Sequence, residues 1–143
     1  MRQRLTVALI AILGATPATA QTGTARLTVT QRALVVQCVD GVAVPADRRS
    51  WTVSAPVTLA MTMRNQPRPG MAPADGADPG TAIVRFSPES GHRYEVEVRA
   101  DATTFSTRVW PQGAWTPVVR DRTAERIVSS DPEWGAPPCQ PSR

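Results

Sequence analysis

An all-β chain, built as a single two-layered antiparallel sandwich with one long Pro/Gly-rich loop, is what the sequence predicts. Three observations predict it. Polar and apolar residues alternate with period two in most of the ordered-looking stretches, and no stretch sustains the 3.6-residue period of an amphipathic helix. Turn residues interrupt these stretches every few positions, as they do in sandwiches and barrels. Two cysteines, Cys38 and Cys139, lie 101 residues apart and are the only ones in the chain.

The first twenty residues read as an export signal. Arg2 and Arg4 form a positive head, Leu5–Leu13 an apolar stretch, and Ala18-Thr19-Ala20 the small residues that a signal peptidase reads. A membrane-spanning helix needs about 20 apolar residues, and Gly14, Thr16 and Pro17 break this run first. The expected product starts at Gln21 and is periplasmic or secreted, with one domain over residues 21–143 and no membrane span. In an oxidising compartment Cys38 and Cys139 are expected to pair as a structural disulfide. They lack the Cys-x-x-Cys spacing of a redox pair and match no zinc pattern.

Charge excludes one class of partner. All sixteen basic residues are arginine, two of which leave with the leader, against twelve acidic residues. A mature charge of about +2 is too weak for a nucleic-acid surface, which needs a strongly basic patch. Arginine without lysine, beside abundant Ala and Pro, fits the codon usage of a GC-rich genome.

Along the chain, Arg26–Thr30, Ala33–Cys38 and Trp51–Ser54 are expected strands. Val57-Thr58-Leu59-Ala60-Met61-Thr62-Met63-Arg64 is the clearest, with Val57, Leu59, Met61 and Met63 on one face. Gln66–Gly80 holds Pro67, Pro69, Pro73 and Pro79 with three glycines. It has no buried pattern to offset its ordering entropy and is expected to be a flexible loop. Thr81–Phe86, Arg93–Arg99, Thr103–Trp110 and Trp115–Val119 complete eight strands. Asp121–Val128 allows either one or two helical turns, capped by Asp121 or Thr123, or an edge strand through Arg126-Ile127-Val128. Residues 129–143 form an irregular tail, expected to be pinned back by Trp134 and Cys139.

Phe86-Ser87-Pro88-Glu89-Ser90-Gly91-His92-Arg93-Tyr94 reads as strand, tight corner, strand. Pro88 pre-sets φ for the first central turn position and Gly91 can take the positive φ that closes the loop. Tyr94 enters the core near a strand start, where its hydroxyl is expected to bond back to the corner. From Phe86 to Val98 the chain resembles small exported bacterial β-sandwich proteins of the immunoglobulin-like kind, many without an assigned function. The resemblance implies a fold and assigns no catalytic residue.

Candidate chemistry is sparse. His92 is the only histidine. It could anchor a Ser-His-Asp triad, but no Gly-x-Ser-x-Gly elbow occurs, and its turn setting points to a structural or solvent-exposed residue. Glu95 and Glu97 share a strand face, about 6.5–7 Å apart at the ordinary strand rise. That overlaps the spacing of glycosidase carboxylates, yet Arg93 and Arg99 flank them, which makes a solvated charge ladder the expected arrangement. Trp110-Pro111-Gln112-Gly113-Ala114-Trp115 looks like a hairpin with an indole at each shoulder. The two indoles either pair within the packing or form an exposed stacking platform.

The expected function is therefore a non-enzymatic exported interaction module, contacting a protein or an envelope polysaccharide. It needs no metal and no other cofactor. Its expected contacts are Trp110, Trp115, Arg93, Arg99 and Arg108, with Arg85, the Pro-rich loop and an edge strand as further surfaces. Two alternatives stay open: a carbohydrate or anionic-polymer binder using the Trp/Arg surface, and a small hydrolase using His92 or the Glu95/Glu97 pair.

Overall fold

The computed structural model describes residues 23–66, 78–135 and 139–141. The expected leader, most of the Pro/Gly-rich loop and part of the tail lie outside the described residues.

The described residues are all-β, with ten strands and one short helix. The strands are β1 (Ala25–Val29), β2 (Leu34–Val39), β3 (Val42–Ala43), β4 (Ser50–Val53), β5 (Val57–Met63), β6 (Ala82–Phe86), β7 (Arg93–Ala100), β8 (Trp115–Asp121), β9 (Arg126–Ile127) and β10 (Glu133–Trp134). They form two five-stranded sheets, in the orders β4-β1-β7-β8-β9 and β10-β6-β5-β2-β3. Leu27, Val29, Tyr94, Val96 and Val119 of the first sheet share one apolar core with Leu34, Val36, Leu59, Met61, Val84 and Phe86 of the second. Alternation built this core: β1, β2, β6 and the first half of β7 bury every second side chain.

Among the ten strands pairing is antiparallel, with one exception that the sequence reading missed. β1 runs parallel to β7, Leu27 beside Tyr94, and antiparallel to β4. The corner sets this arrangement, since Gly91 N–H donates to Thr24 O and Arg26 N–H to His92 O. Gly91 takes the expected positive φ, +77°. Tyr94 Oη accepts the Glu89 N–H at 2.7 Å, and its ring lies 5.1 Å from that of Phe86. The expected bond from this tyrosine back to its own corner is present.

β2 carries the feature that closes the molecule. Its register against β5 runs Val36↔Met61 and then Cys38↔Ala60, so Gln37 is an extra residue in the ladder. Such a bulge exchanges the faces of the strand. Leu34 and Val36 point into the core, whereas Cys38 shares the outer face with Ala60. There it bonds to Cys139, Cα–Cα 5.6 Å, and is covered by the returning tail. Val39-Asp40-Gly41-Val42 then reverses the chain through Asp40 (φ 50°) and Gly41 (φ 77°), the positive-φ pair of a two-residue hairpin. The tail adds to this hairpin: Ala43 N–H donates to Gln140 O, and Gln140 N–H to Gly41 O.

Three local expectations are corrected. Thr103–Trp110 is not a strand; Ala102–Thr107 forms a helix, α1. The β-prone threonines and Phe105 yield to local hydrogen bonds, because the Asp101 carboxylate caps the Thr104 N–H at 2.7 Å. Arg108 ends the helix at φ 55° and donates its N–H to Thr104 O. Nor does a hairpin join Trp110 to Trp115. Pro111–Ala114 make a turn with Gly113 at φ 92°, but Trp110 precedes it outside any strand and β8 pairs with β7 instead. Between the two readings left open for residues 121–128, the edge strand occurs, as β9. It pairs with β8 only at Arg120 and Asp121, which leaves β8 an edge at Pro117, where a residue without N–H is tolerated.

In the tail, Trp134 lies edge-on to Trp115 at 5.0 Å and Cys139 holds the disulfide. On the chain-entropy account a 101-residue loop is worth about 4–5 kcal/mol. Urea unfolding with and without reductant, or of Cys38→Ser with Cys139→Ser, is expected to show a loss of that order; equal midpoints would contradict it. Tyr94→Phe, which strips the Glu89 N–H of its acceptor, is expected to cost about 1 kcal/mol in the same experiment.

Candidate functional site

Titratable chemistry gathers first at the corner between β6 and β7. Asp121, at the end of β8, is fully buried. Its Oδ1 accepts the Thr123 and Ala124 N–H groups at 2.9 and 3.0 Å, an Asx-type turn that leads into β9. Its Oδ2 lies 2.7 Å from His92 Nδ1. Burial by itself would raise the Asp121 carboxyl; the bonds from His92, Ala124 and Thr123 more than offset it and hold the group below the usual carboxylate range. Burial likewise pushes the Tyr94 phenol up, against the lowering bond from the Glu89 N–H.

An aspartate orienting a histidine through Nδ1 is two-thirds of a hydrolytic triad. The other ring nitrogen decides what it does here. His92 Nε2 faces the Glu89 carboxylate at 3.4 Å, and Glu89 also pairs with Arg126 at 3.0 Å. An open cleft of about 580 Å³ beside the corner is lined by Arg85, Ser87, Glu89 and Arg126, but His92 is not part of its wall. The four side chains Asp121, His92, Glu89 and Arg126 thus form a chain of polar contacts that ties β8, the corner and β9 together.

Glu95 and Glu97 project from the outer face of the first sheet as a charge ladder. Their partners differ from the flanking arginines expected. Arg120 Nε contacts Glu97 at 2.8 Å, Arg122 bridges Glu95 and Glu97 at 3.4 and 3.6 Å, and Thr30 Oγ1 donates to Glu95 at 2.7 Å. The register places Arg120 directly opposite Glu95, and the arginines reach their carboxylates diagonally, Arg120 to Glu97 and Arg122 to Glu95. Arg93 and Arg99 are exposed and stand outside these pairs.

The expected contact residues are dispersed. Trp115 is fully buried, its indole N–H donating to Pro79 O at 3.0 Å. Trp110 is 2% exposed and meets Phe105 edge-on at 5.2 Å. Neither indole offers a face to solvent. Trp110 and Arg108, however, do come together, at the end of the molecule where the β1–β2 turn, the exit of β5 and α1 converge.

That end holds a hollow of about 310 Å³ lined by Gln31, Arg32, Gln66, Phe105, Arg108 and Trp110. Its rim is pinned from several sides. The Arg49 guanidinium donates to the carbonyls of Gln31, Arg32 and Leu34 at 3.2, 3.0 and 2.7 Å, locking the β1–β2 turn. Gln66 N–H donates to Arg108 O at 3.0 Å, and Trp110 N–H to Asn65 Oδ1 at 2.8 Å. Phe105 is 40% exposed over the buried Trp110. Among the described residues the guanidiniums of Arg32 and Arg108 have no hydrogen-bond or ion-pair partner, and the buried Trp110 Nε1 has none either. Sequence reasoning named Trp110 and Arg108 but missed Arg32, Gln31, Gln66 and Phe105. No local signal joins them, because the site is assembled from three separate connections.

Among the described residues no helix is long and apolar enough to cross a membrane, and no three His, Cys, Asp or Glu side chains cluster as metal ligands. Comparison with known proteins finds no matching family model, no matching curated protein and no matching solved structure.

Asp121 gives this region a pH signature. Its folded carboxyl lies below its ordinary value, so its contribution to stability is complete above about pH 4 and is lost as pH falls through the folded value. Asp121→Asn is expected to cost about 1–3 kcal/mol at neutral pH and to lose less stability than the wild type on acidification. Urea midpoints measured between pH 7 and pH 3 check both; parallel curves for the two proteins would refute the assignment.

Proposed function

We propose that the chain is an exported, non-enzymatic binding module on an immunoglobulin-like sandwich, and that its ligand site is the hollow at the Trp110 end. One observation carries this reading: two guanidiniums without counter-charge, Arg32 and Arg108, line the same hollow as an exposed aromatic ring, Phe105, beside a turn fixed by Arg49. An unpaired charge on a rigid frame is a pre-organised half of an interaction, since little ordering remains to be done when a partner arrives. By contrast, the arginines of the open cleft, Arg85 and Arg126, are matched by Glu133 and Glu89 at 3.0 Å each.

The disulfide supports an oxidising compartment, and the Ala18-Thr19-Ala20 motif supports delivery there by a cleaved leader. Against hydrolysis stands the use of the acid–base groups as scaffold. His92 is held between Asp121 and Glu89, and Glu95 and Glu97 are held by Arg120, Arg122 and Thr30. A charge-paired ladder on a sheet face lacks the enclosed, divergent environments that separate a general acid from a base.

A thermal-shift screen of neutral, cationic and anionic small molecules and oligosaccharides tests the reading. At least one class is expected to raise Tm, to lose that effect when Arg32→Gln and Arg108→Asn are combined, and to be recovered chemically unchanged. Turnover of an ester, peptide or glycoside that His92→Gln or Glu95→Gln abolishes would instead establish the hydrolase.

A further inference from the structure

Deepening the proposed binding function, we infer that the hollow at the Trp110 end recognises the carboxylate of a uronic acid, with the sugar ring resting on Phe105. The inference rests on that reading of the site and on the chemical inventory of its wall. Arg32 and Arg108 are donors only, always charged, and fork-shaped to match a planar carboxylate. Neither is neutralised within the described protein. An anion is the ligand that complements two exposed, unpaired guanidiniums, and a carboxylate matches the guanidinium fork with two parallel bonds.

The rest of the wall argues for a hydroxyl-bearing body behind that charge. Gln31 and Gln66 line the hollow with primary amides, which both donate and accept and so suit hydroxyl groups, themselves both donors and acceptors. Phe105 supplies an exposed ring, the kind of apolar platform on which the C–H face of a pyranose can lie. A volume of about 310 Å³ sits at the small end of ligand pockets, the size of a sugar unit or two and too small for a folded partner to enter. A simple fatty or aromatic acid leaves the two amides unmatched, whereas a neutral sugar leaves the two guanidiniums unmatched.

Rigidity completes the case. Arg49 fixes the backbone of Gln31 and Arg32, while the Gln66–Arg108 bond fixes the opposite side. The backbone segments that carry the two charges are therefore held by different connections of the fold before any ligand arrives. Trp110, buried beneath Phe105, is placed to report occupancy without being a contact that solvent already reaches.

The test uses the mature, oxidised protein titrated with D-galacturonate, D-galactose, the methyl ester of galacturonate and tri-galacturonate, followed by the Trp110 indole N–H resonance. Galacturonate is expected to shift that resonance with a dissociation constant on the order of 1 mM, and galactose and the ester to bind at least about tenfold more weakly. Arg32→Gln and Arg108→Asn are expected each to weaken galacturonate about tenfold or more. Asn is chosen at 108 because it tolerates the left-handed φ of 55° there. Phe105→Ala, at an exposed position, is expected to weaken the acid and the neutral sugar alike by severalfold. Tighter binding of the trimer than the monomer would identify a polymer as the source, and equal binding a free acid.

Equal affinity for galactose and galacturonate would overturn the carboxylate assignment while leaving a sugar-binding hollow in place. Unchanged affinity in both arginine variants would overturn the site itself. Silence of Trp110 toward every sugar, with another class raising Tm in the ligand screen, would overturn the uronate and leave the binding module standing; silence in both experiments would remove both.

Discussion

One extra residue in β2 governs how this chain closes. Up to Val36 the strand serves the core; after Gln37 it presents Cys38 to the opposite face of the sheet. Without that slip Cys38 would fall in line with Leu34 and Val36, inside the apolar layer, where the tail could not reach it. The bulge therefore lets one strand supply both packing and cross-link. The consequence spreads through the tail: with Cys139 held on the outer face, Gln140 aligns on Gly41 and Ala43, and the chain leading to it carries Trp134 against Trp115. A disulfide across 101 residues acts mainly on the unfolded ensemble, while β10 takes its place on the sheet edge by pairing with β6.

The second organising centre is Asp121, and its logic is electrostatic. A buried carboxylate is costly unless its lone pairs are filled, and this one is filled from two directions, by the turn after β8 and by His92 before β7. The histidine passes the interaction on to Glu89 and Arg126. Together with the Tyr94 bond to the Glu89 N–H, this fastens the corner on both its side-chain and its backbone groups. A dyad that resembles catalytic machinery is thus explained by architecture: the corner is where β1 turns parallel to β7, and both depend on the loop being held still.

How much of this was legible in the sequence varies with the range of the interaction. Strands whose two faces differ, such as β5, β6 and β7, declare themselves by alternation, because the pleat forces neighbouring side chains apart. The corner was readable for a related reason, since Pro88, Gly91 and Tyr94 each have a local conformational job. Asp40-Gly41 carried an equally strong hairpin signal that passed unread inside an apolar run. Helix α1 was misread because its threonines and Phe105 favour strands on average, while a single cap at Asp101 decides the matter. The parallel β1–β7 pairing, the bulge at Gln37 and the partners of Glu95 and Glu97 were beyond reach, because each depends on register between segments distant in the chain. The hollow belongs to this last group: its arginines sit 76 positions apart and meet only through topology.

That division bears on where function should be sought. In this fold the conspicuous residues, the lone histidine, the paired glutamates and the four tryptophans, are largely consumed by structure, each bonded or packed against a neighbour. Among the guanidiniums the scaffold leaves unspent are two, Arg32 and Arg108, that share one hollow and sit on connections between strands. Loops held by a rigid frame are where binding residues concentrate, and Arg49 supplies that rigidity from outside the hollow without entering it. An arginine that spends three of its five N–H donors on carbonyls is tied to the turn. Its role is to fix the turn carrying Arg32, whose charge then has only the hollow and the solvent to face. The contrast between a committed arginine and two uncommitted ones, within a few residues of the same turn and across from it, is the physical reason to locate recognition at this end of the molecule.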